Sequence, residues 1–162
     1  GGVKLNINDV NSALKAYDEI MESVTEKAPE AKINGVLMQK MLPKGVEIII
    51  GVNNDPQFGP MLLVGLGGVF VELFKDVALY PVPLNKKEAC DMLTSLKSFK
   101  LLTGYRGSKP CDIDALTDTM VAISDFALAN RNRLKELDIN PLFVYEKGVG
   151  VADALVVLNE EE

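Results

Sequence analysis

Residues 3–7 alternate apolar and polar, the two-residue period of a half-buried strand. Asn8 then stands where a helix cap belongs, ahead of an apolar stripe at Val10, Leu14, Tyr17, Met21 and Val24 that fades near Ala28-Pro29. Two β-rich runs follow, 35–42 and 46–53, and the Pro43-Lys44-Gly45 link predicts that they form a hairpin. The turn-dense segment 54–60 leads into a strand at 61–65, the cluster Gly65-Leu66-Gly67-Gly68, and short strands at 69–73 and 77–80. Asn85 and Glu88 form a capping box for a helix with Cys90, Leu93 and Leu96 on one side. After a turn-rich link at 101–107, Asp112 caps a longer helix with Leu116, Met120, Ile123 and Ala127 inward. Strand-like segments at 133–139, 141–145 and 150–158 close the chain around the loop Glu146-Lys147-Gly148. Strands arriving in blocks predict an α+β fold: one domain whose mixed or antiparallel sheet carries helices packed on it, not a doubly wound nucleotide fold.

Composition narrows the chemistry. A chain of 162 residues, 48% apolar and 25% charged, has the balance of a globular domain. Its net charge of -6 argues against nucleic acid as a partner, since a phosphate-backbone binder needs a basic stripe. No apolar run approaches the ~20 residues of a membrane span, so no membrane partner is expected. The chain contains no histidine, so any imidazole must come from elsewhere. Cys90 and Cys111 lack metal-type spacing and read as free thiols of a reducing, cytoplasmic compartment, one of them in the core; two sulfurs without imidazole do not make a zinc site.

Three segments carry candidate chemistry. The glycine cluster at 65–68 lacks the Lys-Ser/Thr ending of a P-loop, yet backbone N–H groups in such a turn can line a phosphate. In Leu137-Asp138-Ile139-Asn140-Pro141, strand alternation puts Asp138 and Asn140 on one face, and Asp153 in a later apolar run offers a third oxygen for a hard cation such as magnesium. The alternative is that Asp138 and Asn140 only begin a turn before Pro141. Met38-Gln39-Lys40-Met41-Leu42, an apolar strand running into a linker, offers a slot for a flat base or is an ordinary hairpin. Glu47 is a lone carboxylate in an apolar strand, facing either solvent or a site.

The segments 1–6, 35–41, 44–47, 55–60 (DPQFGP), 65–72, 75–77, Arg106-Gly107 and 136–142 (ELDINPL), with the later Asp153, resemble in order and spacing the ATP-grasp domain of the NDP-forming (ADP-forming) acyl-CoA synthetases, relatives of the succinyl-CoA synthetase beta subunit. The resemblance implies a partial ATP-grasp fold over 1–162, its C-terminal portion, with the N-terminal lid subdomain missing. It implies ATP or ADP held along Gln39, Lys40, Met41, Leu42 and Glu47, and Mg2+ held by Asn140 and Asp153. Asp138 takes the place of the carboxylate that contacts a phosphorylated histidine. The implied activity is acyl-CoA + ADP + phosphate ⇌ acid + CoA + ATP, of the acetyl-CoA type. The implied partner is a CoA-binding domain or subunit carrying the phosphohistidine, within an oligomeric full protein; this chain alone is expected to be inactive. A second implied reading is a degenerate regulatory or assembly domain of a multidomain protein lysine acetyltransferase.

Overall fold

Val and Ile at every second position make the run after Gly45 the centre of a sheet. The computed structural model describes residues 1–68 and 74–159. Strand β1 (Val46–Asp55) pairs antiparallel with β2 (Gly59–Leu66), which pairs with β3 (Val77–Pro81); on its other side β1 pairs with β4 (Leu134–Val144). β4 in turn pairs with β5 (Val149–Val151) and β6 (Ala154–Leu158), and every ladder is antiparallel. The β1–β2 turn is fixed by the Asp55 carboxylate, which accepts from the N–H groups of Gln57 and Phe58, while Gly59 supplies the positive φ of 75°.

One face of this sheet is the core. Ile48, Ile50 and Val52 of β1, Leu62, Val64 and Leu66 of β2, and Leu137, Ile139, Leu142 and Val144 of β4 are buried there. They lie against α2 (Lys86–Ser95) and α3 (Ile113–Ala129), which contribute Ala89, Met92, Leu93, Leu116, Met120 and Ala127. Both helices start as the sequence predicts. Asn85 and Glu88 close a reciprocal capping box, and the Asp112 carboxylate accepts from the Ala115 N–H at 2.9 Å and from the Gly148 N–H at 2.7 Å. Those two bonds, ahead of an opposing desolvation, hold Asp112 below the ordinary carboxylate range and tie the head of α3 to the β4–β5 turn. The predicted turn-rich link at 101–107 lies across two short 3-10 helices, Lys97–Leu101 and Tyr105–Gly107. The first of these is capped by buried Asp76, which accepts from the N–H groups of Lys97 and Ser98 and from the Ser98 hydroxyl.

Several expectations are corrected. Residues 3–7 and 35–42 are not strands, and 35–42 does not form a hairpin with 46–53; β1 pairs with β2 and β4 instead. Alternation sets which side chains share a face, but a ladder also needs a partner edge, and none is bonded to either segment among the described residues. The cap of α1 (Val10–Lys27) is Asp9 and not Asn8: the Asn8 amide donates to the Asn6 carbonyl, leaving Asp9 and Ser12 to form the capping box. Nor is the α1 stripe buried, since Val10 is 75% and Leu14 61% exposed, and within the helix only Ala16 is buried. Segments 133–139 and 141–145 form one strand, whereas 150–158 divides into two around Ala152-Asp153. Both cysteines are half-buried, with neither fully in the core. The predicted strand at 69–73 lies outside the described residues. The chain divides into two compact units, residues 1–43 and 44–162.

Candidate functional site

The second face of β4 carries polar residues, Glu136, Asp138 and Asn140, that the core excludes. Its key feature is an irregularity in β4. Ile48 lies opposite Leu142 and Ile50 opposite Ile139, so the single residue Ile49 on β1 faces two residues, Asn140 and Pro141, on β4. This is a β-bulge, and proline suits it because a bulged residue has no ladder bond to donate. The bulge lets β4 return Leu142 and Val144 to the core after presenting Glu136, Asp138 and Asn140 on the other side. Hence Asp138 and Asn140 do not begin a turn before Pro141; the strand runs through both.

Across the far edge of β4, the break between β5 and β6 falls opposite the same bulge. The Asn140 N–H donates to the Asp153 carbonyl at 3.2 Å, and the Ala152 N–H to the Pro141 carbonyl at 3.0 Å. The two residues predicted as metal ligands are therefore brought together by backbone bonds, both with exposed side chains. Asp138 is half-buried beside them. Burial, then the charges of Glu136 and Asp153, push its carboxyl above the usual range. Asp138, Asn140 and Asp153, none of them ion-paired to an ammonium or guanidinium among the described residues, carry oxygens of the type a hard divalent cation takes. No cluster of three or more His, Cys, Asp or Glu with metal-holding geometry occurs among the described residues, so protein carboxylates alone do not complete a coordination shell there.

Glu47 is exposed at the start of β1, opposite Phe143 of β4. Its carbonyl accepts from the Gly67 N–H at 2.8 Å, and a Cβ on Gly67 would stand 2.9 Å from the Glu47 Cβ. The glycine cluster is thus folded down onto Glu47, leaving a cradle that any side chain at 67 would fill. The sequence reading treated these as separate features. The signal joining them was the β1–β2 register, because folding that hairpin about residue 57 sets 47 opposite 67.

Gln39, Lys40 and Met41 belong to the first unit. There they line a cavity of about 400 Å³ together with Asn6, Asn8 and Tyr17; Leu42 is half-buried and does not line it. The backbone of 35–42 has no ladder partner among the described residues, so its N–H and C=O groups stay available to a ligand edge.

The antiparallel sheet with helices packed on one face is that of an ATP-grasp domain. The chain belongs to that family, whose ATP-grasp domain it matches over residues 1–158. It is 45% identical over 161 residues to "Acetate--CoA ligase [ADP-forming] I" of Archaeoglobus fulgidus, covering 99% of this chain and 23% of that protein. It is 42% identical over 158 residues to "Acetate--CoA ligase [ADP-forming] I subunit beta" of Pyrococcus furiosus, covering 98% of this chain and 68% of that subunit. Among solved structures, the dinucleotide forming acetyl-coenzyme A synthetase 1 of Ca. Korarchaeum cryptofilum in complex with coenzyme A and Mg-AMPPCP superposes with a TM-score of 0.85 at 42% identity, covering 98% of this chain and 68% of that one. The same protein with a phosphorylated phosphohistidine segment gives a TM-score of 0.92 at 45% identity, covering 98% and 70%. This chain therefore spans about a quarter of a fused ligase and about two thirds of a separate beta subunit.

Proposed function

We propose that this chain is the nucleotide- and Mg2+-binding part of an ADP-forming acid–CoA ligase of the acetyl-CoA type. The reaction is acyl-CoA + ADP + phosphate ⇌ acid + CoA + ATP, carried by a phosphohistidine on another domain or subunit. The observation that carries the reading is the bulge at Asn140-Pro141, which sets Asn140 against Asp153 beside Asp138. Asn140 and Asp153 hold Mg2+, which when bound neutralises phosphate oxygens during transfer. Gln39, Lys40, Met41, Leu42 and Glu47 are the nucleotide-binding residues of this reading, the first four through main-chain groups. Asp138 accepts a hydrogen bond from the incoming imidazole and favours its protonated form. With no histidine of its own, this chain cannot carry the phosphoryl group on imidazole. A CoA-binding partner must bring one, in a cytoplasmic, oligomeric enzyme whose lid subdomain lies outside residues 1–162. No helix among the described residues is long and apolar enough to cross a membrane.

The test is calorimetry of ADP with and without magnesium, on this chain and on the full-length protein, each beside its Asp153→Ala variant. Magnesium-dependent binding that falls about tenfold or more in the variant is expected. Full-length protein that binds ADP equally well without magnesium, or equally well as Asp153→Ala, would overturn the assignment.

A further inference from the structure

Where β1 begins, the sheet ends in a depression of about 430 Å³, a size typical of small-molecule sites. Its floor is apolar, made by Val46, Val144 and half-buried Cys111, whose thiol points at the Val144 carbonyl, 3.9 Å away. Tyr145 forms a flat wall. A Cβ on Gly45 would stand 3.0 Å from two carbons of that ring and 2.8 Å from the Val144 carbonyl, so only glycine lets the ring lie against the backbone.

The rim is basic. Lys44 comes from the approach to β1, Lys109 from the segment before α3 and Lys147 from the β4–β5 turn. Lys109 is paired with Glu146 at 2.8 Å, whereas Lys44 and Lys147 form no ion pair within 4 Å among the described residues, Lys147 lying near enough to the Asp112 carboxylate to help lower its value. In a chain of net charge -6, three ammonium groups from three separate segments, against the one lining carboxylate of Glu146, leave this rim net positive. Val144 faces the core side of the sheet, so this depression and the acidic bulge open on opposite faces.

We propose that this depression binds a phosphate monoester with a planar aromatic body. Two unpaired ammonium groups match a dianion better than a carboxylate, and the Tyr145 ring with its apolar floor takes the aromatic part by stacking. Nothing in the inference depends on the Mg2+ and nucleotide reading of the other face.

Cys111 on the floor provides the readout, and Cys90, equally half-buried but outside the depression, the internal reference. The experiment follows alkylation of both thiols by peptide-resolved mass spectrometry in the full-length protein. The probes are phenyl phosphate, inorganic phosphate and phenol, with AMP and O-phosphotyrosine in parallel to separate a nucleoside from a phenolic body. At millimolar concentration phenyl phosphate is expected to slow Cys111 about fivefold or more and leave Cys90 unchanged, with weaker protection by phosphate and none by phenol. Lys44→Ala with Lys147→Ala, checked by circular dichroism for an unchanged fold, is expected to abolish the protection. Asp153→Ala is expected to keep it, so that nucleotide held at the acidic bulge cannot account for it. Cys111 reacting at the same rate with and without phenyl phosphate would overturn the proposal. So would equal protection by phenol, or protection that survives the double lysine substitution.

Discussion

Two aspartates in this chain show opposite uses of the same side chain. Asp76 is buried, which alone raises its carboxyl value, but the Ser98 hydroxyl and the N–H groups of Ser98 and Lys97 outweigh that and hold it below the ordinary range. Its folded value lies under the unfolded one, so its contribution to stability is present above the unfolded value and is lost as pH falls through the folded one. Asp76→Ala is expected to cost about 2–3 kcal/mol in denaturant unfolding and to erase part of the acid sensitivity. Asp138 is the reverse. Desolvation, Glu136 and Asp153 raise its value, so its contribution is fully present below the unfolded value and is lost as pH rises through the folded one. Asp138→Asn is therefore expected to melt higher than the parent at neutral pH, by a margin that shrinks on acidification, while the full-length enzyme loses turnover. A variant that melts lower at neutral pH would show that Asp138 is already compensated.

Among the elements, β4 carries the site and β1–β2 frames it. Strand positions at 133–145 were legible because apolar residues recur there with near-strand periodicity, and both helix caps of the second unit were legible because capping is local chemistry. The continuity of β4 was not, because proline inside a run reads as a terminator unless a partner strand is known to accommodate a bulge. The segments 3–7 and 35–42 failed for the complementary reason: their pattern is that of a strand, but pairing is a property of two segments. Strand alternation and the resemblance to known synthetases both pointed to Asn140 and Asp153; the bulge supplies the physical reason their backbones meet. The Gly67 cradle yields its own prediction. Gly67→Ala drives a methyl against the Glu47 Cβ and is expected to lower stability by about 1–3 kcal/mol. It is also expected to weaken ADP binding by the full-length protein more than a core truncation of equal cost such as Val64→Ala.

At the scale of the whole chain, burial is unevenly shared. Among the described residues, 44–162 hold nearly all of the core, whereas Ala16 is the one buried apolar residue within 1–43. A unit so short removes too little apolar surface from water to offset the entropy of ordering it. Backbone amides in 1–43 are therefore expected to exchange with deuterium well before those of β1, β2 and β4, and a chain beginning at Lys44 is expected to keep the melting temperature of the parent. Equal protection in the two units would show that the first is stabilised beyond its own core.

The odd-and-even layout of β4 has a consequence for how errors are caught. Slipping that strand by a single position would turn Asp138 into the core and expose the leucines to water, so a misaligned chain loses solubility at once. Folding thus proofreads the register: a chain that stays in solution has already turned Glu136, Asp138 and Asn140 away from the core.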